Sequence, residues 1–230
     1  TLKNRYPNVR ILTWKKEFNY SAINNFAVRE ARGEYLLFLN NDVEIITENW
    51  LEEMLQLCQQ KDVGMVGAKL YYPDDTIQHA GVVVGLGGVA AHVLCKLPRD
   101  AEGYMGRLRC VQEISAVTAA CMMVKTSVFK AVGGFDEELK VAFNDIDLCM
   151  KVRKYGVKIV FTPYAELYHY ESKSRGMEDT PEKQLRFSRE VNCFRRKWER
   201  ELLKGDPYYN PNLTLNNTDC SLRKQEKNGD

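Results

Sequence analysis

The stretch Tyr35-Leu36-Leu37-Phe38-Leu39-Asn40-Asn41-Asp42 decides the fold of this 230-residue chain. Five apolar residues followed by three polar ones predict a strand buried on both faces, as in a parallel sheet flanked by helices. Its carboxyl end would bring Asn40, Asn41 and Asp42 to the edge at which open α/β sheets bind ligands. Asp42 would suit a hard divalent cation that carries phosphates. The alternative for these three residues is a polar turn without a ligand.

Composition indicates one large domain, or one domain with extensions, that can bury a sizeable core. Apolar residues make up 44% of the chain and the net charge is +2, so charge gives no reason to expect a nucleic-acid partner. The seven cysteines form no CxxC pair and have mostly apolar neighbours, which predicts buried free thiols in a reducing compartment. A late basic cluster favours a solvated helix face, or one near an anionic membrane surface, over nucleic-acid binding; its members are Arg186, Arg189, Arg195, Arg196, Lys197 and Arg200.

The segments around the opening stretch predict a β-α-β unit. Residues Val9 to Trp14 read as a strand, and a helix capped by Ser21 follows and runs to about Ala31. This succession predicts a parallel sheet. A further helix capped by Thr47 and a strand from Val63 to Tyr72 extend the same pattern.

The second half of the chain predicts a glycine-rich strand pair, a small-residue segment and a series of regular elements. Gly85-Leu86-Gly87-Gly88 lacks the third glycine of a dinucleotide-binding loop, which favours two strands with a flexible turn. The small side chains of Ser115 to Ala120 either let a ligand approach the backbone or pack tightly between sheet and helix. The later elements are a short helix capped by Thr126, a helix opening at Asn144, strands at Lys158 to Thr162 and Ala165 to Tyr170, and a helix from Pro181 to about Leu203.

Three further polar residues are candidates for the same sheet edge: Asp145, Asp147 and His169. The two aspartates are two positions apart at a helix start, so they cannot share one helix face; one would enter the site and the other cap the helix. A helix start favours ionised carboxylates, which suits a general base. Capping by both aspartates, and a core or interfacial role for His169, are the alternatives.

Taken together, these segments resemble the family 2 glycosyltransferases, which have the GT-A fold, and in particular bacterial enzymes that build rhamnose-containing and other surface polysaccharides. The resemblance covers roughly Val9 to Gly176 and implies an α/β fold with a mixed, mainly parallel sheet flanked by helices. It assigns residues 1–204 to a GT-A-like domain and leaves 205–230 as a polar tail or arm. The matching segments are Asn19 to Asn25, Ala31 to Asp42, Gly133 to Glu137, Asn144 to Cys149 and His169 to Gly176.

The resemblance also implies roles for individual residues. Asn40-Asn41-Asp42 stands at the family's DxD-type motif, so Asp42, with His169, would hold Mg²⁺ or Mn²⁺ against the sugar diphosphate. Asn40 departs from the motif because its first position carries no charge. The loop with Lys173 and Arg175 would close over the leaving diphosphate.

On the acceptor side, the resemblance makes Asp145 the general base of a motif in which Asn144 replaces a glutamate. Asp136, Asn144 and Asp147 would bind the acceptor or support the base. The implied reaction is metal-dependent, inverting transfer from a nucleotide-diphosphate sugar to a hydroxyl of a glycan or lipid-linked acceptor. The reaction would take place in the cytoplasm. Association of the protein with the inner face of the membrane, and assembly into homo-oligomers, are both compatible with this reaction.

Two other functions stay open on the sequence. A nucleotidyltransferase also needs clustered carboxylates and Mg²⁺, but the chain shows no basic glycine-rich triphosphate loop near its start. The other alternative is a binding or assembly domain that has the fold but does not catalyse transfer. The start of the chain favours it, because the strand-helix-strand region with which the family usually binds the nucleotide base is missing there. We therefore expect a C-terminal portion of a longer enzyme, in which turnover by this portion alone is not assured.

Overall fold

The computed structural model describes residues 2–170 and 180–224. Helices in these residues are α1 (Leu2–Arg5), α2 (Tyr20–Glu30), α3 (Trp50–Cys58), α4 (Thr126–Ala131), α5 (Asn144–Tyr155) and α6 (Pro181–Lys204). Strands are β1 (Tyr35–Leu39), β2 (Val43–Ile45), β3 (Val63–Tyr71), β4 (Ile77–His79), β5 (Val82–Val84), β6 (Ala90–His92), β7 (Gln112–Glu113), β8 (Cys121–Lys125) and β9 (Lys158–His169).

The main sheet is mixed and has helices on both faces. Its strand order is β1-β8-β3-β9-β2, with β4 beside β3 and β7 beside β9. The central pair β3 and β9 is parallel, whereas the other described pairs of this sheet are antiparallel. The predicted mixed α/β architecture is therefore confirmed. Strands β5 and β6 form the separate pair expected in the glycine-rich region.

Strand β1 spans the predicted apolar run but differs from the prediction in its surroundings. It pairs with the antiparallel β8 and lies at one end of the described sheet. Leu36 and Phe38 are buried, while Leu39 on the other face is 41% exposed. Tyr35 and Leu37 on that second face are partly buried against the layer of α3. The prediction of burial on both faces was therefore only partly right, because an unbroken apolar run does not reveal how far the packing on each face extends.

Two of the other strand predictions were also wrong. Val9 to Trp14 is irregular and largely exposed, because no described strand supplies it with a hydrogen-bonding ladder. The two strands expected between Lys158 and Tyr170 are one strand, β9, whose pairing with β3 shifts register between Gly67 and Lys69. This irregularity lies opposite the Pro163 region and lets the strand continue without a break.

Polar residues precede the helices, as expected, but the residues that cap them differ from those predicted. Asn19, not Ser21, caps α2 by accepting from the N–H of Ala22 at 3.0 Å. The hydroxyl of Ser21 is instead buried and donates to the carbonyl of Leu139 at 2.6 Å. Helix α3 starts after Asn49 rather than at Thr47, and Thr180 caps α6.

Two apolar layers fill the space on either side of the sheet. Trp50, Met54 and Cys58 recur every four residues, and this face of α3 packs on one side of the sheet, as the spacing predicted. Helices α4, α5 and α6 contribute to the larger layer on the other side, with Phe129, Leu148 and Phe194. The seven cysteines are free thiols, and four of them are buried.

The segment after α6 packs onto the domain as far as the structure describes it. Tyr209, Leu213 and Cys220 are buried members of the larger apolar layer. Asp206 anchors the segment, since its Oδ1 accepts from the Ser115 hydroxyl at 2.6 Å and its Oδ2 from the Val84 N–H at 2.8 Å. The residues expected to form a polar tail or arm thus lie, up to position 224, against their own chain.

Candidate functional site

The polar ends of β1 and β9 meet beside β2, as expected of residues that follow strands in one sheet. Pairing of β2 with β9 sets Val43 opposite His169, and the N–H of Tyr170 donates to the carbonyl of Asp42 at 2.8 Å. The Nδ2 of Asn40 lies 3.1 Å from His169 Nε2, and Asp42 Oδ1 lies 3.3 Å from the same nitrogen. Asn41 is exposed.

Gln78 fixes which nitrogen of His169 carries the proton. Its Nε2 donates to the carbonyl of His169 at 3.2 Å, so its Oε1, 2.8 Å from His169 Nδ1, must accept from that nitrogen. In the neutral ring, the Nε2 is then an acceptor that faces the Asn40 amide and the Asp42 carboxylate. Gln78 lies in β4, and the sequence did not indicate it as a site residue.

The geometry around Asp42 fits a cation. Asp42 Oδ1 is buried and accepts no hydrogen bond from the described residues, although His169 Nε2 is 3.3 Å away. Two acceptors this close repel one another unless a proton or a cation lies between them. A carboxylate oxygen and an imidazole nitrogen suit Mn²⁺, and a carboxylate also suits Mg²⁺. No group of three or more His, Cys, Asp or Glu side chains with metal-site spacing occurs in residues 2–170 and 180–224, so substrate phosphates and water would complete the coordination.

Asp145 lies at the start of α5, and its carboxylate is held by backbone N–H groups. Its Oδ1 accepts from the N–H of Ile146 at 2.9 Å, and its Oδ2 from the N–H of Ala119 at 3.2 Å. Phe143 precedes the helix with a φ of 60°, a left-handed conformation that turns the chain into α5. The side chain is partly exposed, so it can reach a ligand.

The segment Thr118–Ala120 connects Asp145 with the Asp42 region. The N–H of Ala119 binds Asp145, while the carbonyl of Ala120 accepts from the N–H of Asn40 at 3.0 Å. The hydroxyl of Tyr20 donates to the carbonyl of Ala119 at 3.2 Å. The small-residue segment therefore supplies backbone groups to both parts of the site, a role that its composition suggested without naming the partners.

Asp136 and Asp147 do not join Asp145; they bind α6. Asp147 is fully buried and forms ion pairs with Lys197 at 2.8 Å and Lys151 at 3.1 Å. The indole N–H of Trp198 donates to it at 2.9 Å. Asp136 accepts from Lys197 at 2.5 Å. Although burial opposes the shift, the hydrogen bond and charge of Lys197 lower the pKa of Asp136.

The remaining predicted residues have different outcomes. Asn144 is buried and donates to the carbonyl of Val141 at 3.0 Å, which closes the turn before α5. Lys173 and Arg175, and the loop predicted around them, lie outside the described residues.

No helix in the described part of the chain is long and apolar enough to cross a bilayer.

A separate cavity of about 1160 Å³ contains none of the predicted site residues. Its wall includes Arg99, which pairs with Glu166 at 3.3 Å and lies over the ring of Tyr71 at 4.8 Å. The buried ammonium of Lys69 donates to the carbonyl of Leu108 at 3.1 Å. These groups satisfy one another, so the cavity by itself indicates no particular ligand.

The amino-acid sequence matches one protein-family model and several characterised or curated relatives. Residues 7–190 match the model described as "Glycosyltransferase like family". An uncharacterised protein of Sinorhizobium fredii is 57% identical over 93% of this chain, which spans 24% of that protein. The O-antigen biosynthesis protein RfbC of Myxococcus xanthus is 42% identical over 97% of this chain, which spans 17% of RfbC. A rhamnosyltransferase of Mycobacterium tuberculosis, acting on N-acetylglucosaminyl-diphospho-decaprenol, is 24% identical over 76% of this chain, which matches 62% of that enzyme.

Solved structures of sugar transferases share the fold. A Pyrobaculum calidifontis mannosyltransferase in complex with GDP-Man and Mn²⁺ aligns with a TM-score of 0.57 and 15% identity, over 86% of this chain and 49% of that one. GalNAc-T7 with UDP, GalNAc and Mn²⁺ aligns with a TM-score of 0.61 and 13% identity, over 88% of this chain and 39% of that one. At these identities the likeness establishes the fold alone, and it confirms the predicted GT-A type.

Proposed function

Because the chain belongs to the glycosyltransferase-like family whose model its residues 7–190 match, we propose that it transfers a sugar from a nucleotide-diphosphate donor, with a divalent metal and inversion at the anomeric carbon. The acceptor is a hydroxyl of a glycan or a lipid-linked saccharide. One observation carries the proposal: a single backbone segment, Thr118–Ala120, holds both the carboxylate of Asp145 and the strand end that presents Asp42. A base and a diphosphate site are the two parts that a direct displacement needs.

Asp145 is the base of the proposed reaction. The N–H groups of Ala119 and Ile146 fix the orientation of this carboxylate. The acceptor oxygen forms a bond to the anomeric carbon while the bond from that carbon to the diphosphate oxygen breaks. The acceptor's hydroxyl proton passes to Asp145, and the electron pair of the broken bond leaves with the diphosphate.

Asp42 and His169 are the residues that would hold Mg²⁺ or Mn²⁺. When bound, the ion offsets negative charge on the departing diphosphate. Gln78 keeps the proton of His169 on Nδ1, so its Nε2 can act as a ligand. Mn²⁺ accompanies the nucleotide or nucleotide sugar in two transferases of the same fold, which supports the assignment.

The proposal is tested by two variants with separate readouts. Asp42→Ala should remove Mn²⁺-dependent thermal stabilisation by UDP, GDP or dTDP sugars, whereas the exposed Asp100→Ala should retain it. Asp145→Asn keeps the side-chain shape but cannot take the proton, so transfer should fall by about a hundredfold or more while donor affinity persists.

The measurements are made on this chain and on a longer version of the protein. Metal-dependent donor binding that is unchanged in Asp42→Ala would remove the metal assignment. Transfer at the parental rate by Asp145→Asn would show that another group is the base. Donor binding without transfer by the parental protein would favour a binding or assembly domain over an enzyme.

A further inference from the structure

The three histidines of the chain include a pair that the proposed reaction does not use. His79, at the end of β4, is fully buried, and His92 ends β6. Their Nδ1 atoms are 2.8 Å apart, and the two rings meet edge to face with centroids 4.9 Å apart. On its other side, His79 Nε2 lies 3.5 Å from the backbone nitrogen of Thr118. The pair therefore touches the backbone segment that joins the two parts of the candidate site.

The backbone fixes where the protons of this pair lie. A peptide N–H only donates, so His79 Nε2 must accept from Thr118 and carries no proton. The ring is neutral, because burial lowers the pKa of His79 well below its ordinary value, and the repulsion that His92 and His169 would exert if they were charged acts in the same direction. Its one proton is then on Nδ1 and is donated to His92 Nδ1. His92 must in turn be neutral, with its proton on Nε2.

We propose that His79 and His92 are positioning residues for sugar transfer: His92 fixes the tautomer of His79, and His79 holds the N–H of Thr118 so that Ala119 presents its own N–H to Asp145. The inference rests on the proposed function, since it assigns the pair to the orientation of the base. It adds two residues to which the proposed reaction itself assigns no role in binding the donor, the metal or the acceptor.

The chain of contacts explains how such a remote pair affects the base. Thr118 has His79 as the acceptor for its N–H among the described residues, and the next residue binds Asp145 Oδ2. If His79 adopted the other tautomer, its Nε2–H would meet the N–H of Thr118, and the segment would have to move. A displacement of about 1 Å at a catalytic group can lower turnover by about a hundredfold.

The tautomers can be measured on the folded chain without any substrate. A long-range ¹H–¹⁵N spectrum of the 230-residue chain should show His79 as the Nδ1–H tautomer and His92 as the Nε2–H tautomer at neutral pH. A proton on Nε2 of His79, or a charged His92, would overturn the inference. This result is independent of the proposed function, because it requires neither donor nor turnover.

Two substitutions of His92 test the consequence for the reaction. His92→Leu removes the acceptor for His79 and should shift the amide resonances of Thr118 and Ala119 and lower kcat by about ten- to a hundredfold, with the donor KM unchanged within about twofold. His92→Asn places an amide oxygen near the position of Nδ1 and should restore most of the lost kcat.

The outcomes separate the two proposals. Equal kcat in His92→Leu and the parent, or equal losses in the Leu and Asn variants, would overturn the positioning role. A loss of donor affinity that matches the loss of kcat would also overturn it. No transfer by the parental protein would count against the proposed function, and the tautomer measurement would still decide whether the histidine pair is arranged as inferred.

Discussion

Replacing Glu190 by glutamine tests whether α6 fixes the turn in front of the base. Glu190 is 3% exposed, and its two carboxylate oxygens accept from the N–H of Val141 at 3.1 Å and of Ala142 at 2.7 Å. The Glu190→Gln variant keeps the shape but has one acceptor oxygen. Its NH₂ group would face a backbone N–H, so one hydrogen bond is lost and one buried donor is left without an acceptor.

The expected loss of stability follows from two opposing effects. A hydrogen bond to a charged acceptor contributes about 1.5–3 kcal/mol, and its loss lowers the free energy of unfolding by a similar amount. Burial raises the pKa of Glu190, so the ionised carboxylate carries a cost that the neutral amide avoids. We expect a net loss of about 1–2 kcal/mol, which corresponds to a fall in Tm of about 2–8 °C for a chain of this size.

Thermal unfolding followed by circular dichroism measures this change directly. Glu199→Gln, an exposed substitution on the same helix, is the matched control and should alter stability by less than about 0.5 kcal/mol. Because the turn leads into Asp145, the Glu190→Gln variant should also transfer sugar more slowly at temperatures where it is fully folded. If the two variants unfold at the same temperature, α6 does not hold the turn through this carboxylate.

Three further predictions concern Gly67, Asp136 and Cys121. Gly67→Ala would place a Cβ 2.3 Å from Val117 Cγ1, so urea unfolding should show a loss of about 1–3 kcal/mol, and an unchanged midpoint would contradict this packing. Lys197 lowers the pKa of Asp136 despite the opposing effect of burial, so the stability that this ion pair contributes is present above the ordinary pKa of 3.8 and is lost as pH falls through the lowered pKa. Asp136→Asn should therefore weaken the dependence of the free energy of unfolding on acid pH. An unaltered dependence would show that the Asp136–Lys197 pair does not contribute to stability. Burial raises the pKa of Cys121 to about 12, so a thiol reagent at pH 8 should modify it only after denaturant is added, and rapid labelling of the native protein would contradict its burial.

The sequence predicted the site residues that directly follow strands. Apolar runs end at Asn40 and at His169, and these ends meet because the chain passes from β1 directly into β2, which pairs with β9. The spacing of Asp145 and Asp147 also indicated that they would face different ways, and the structure directs the second toward Lys197.

Other parts of the arrangement depend on contacts distant in sequence. Gln78 and His79 lie in a glycine-rich region whose short strands have no clear periodicity, so local patterns could not assign either residue to the site. The exposure of Leu39 at the end of β1 depends on which elements pack against that face, and the position of Asp206 depends on Ser115, 91 residues earlier in the chain. Pairings of this kind follow from the tertiary structure and leave no repeat in the sequence.

The packing of the segment after α6 determines where this domain can be shortened in the laboratory. Lys204 ends α6 and would be a natural position for a stop codon. A truncation there would remove Tyr209 and Leu213, which fill the apolar layer, and would expose the surface they cover. It would also release Ser115, at the start of the segment that leads to Thr118, from the carboxylate of Asp206. A shortened protein that is meant to retain the site should therefore extend at least to Arg223, whose backbone N–H donates to the carbonyl of Asn212 at 2.8 Å.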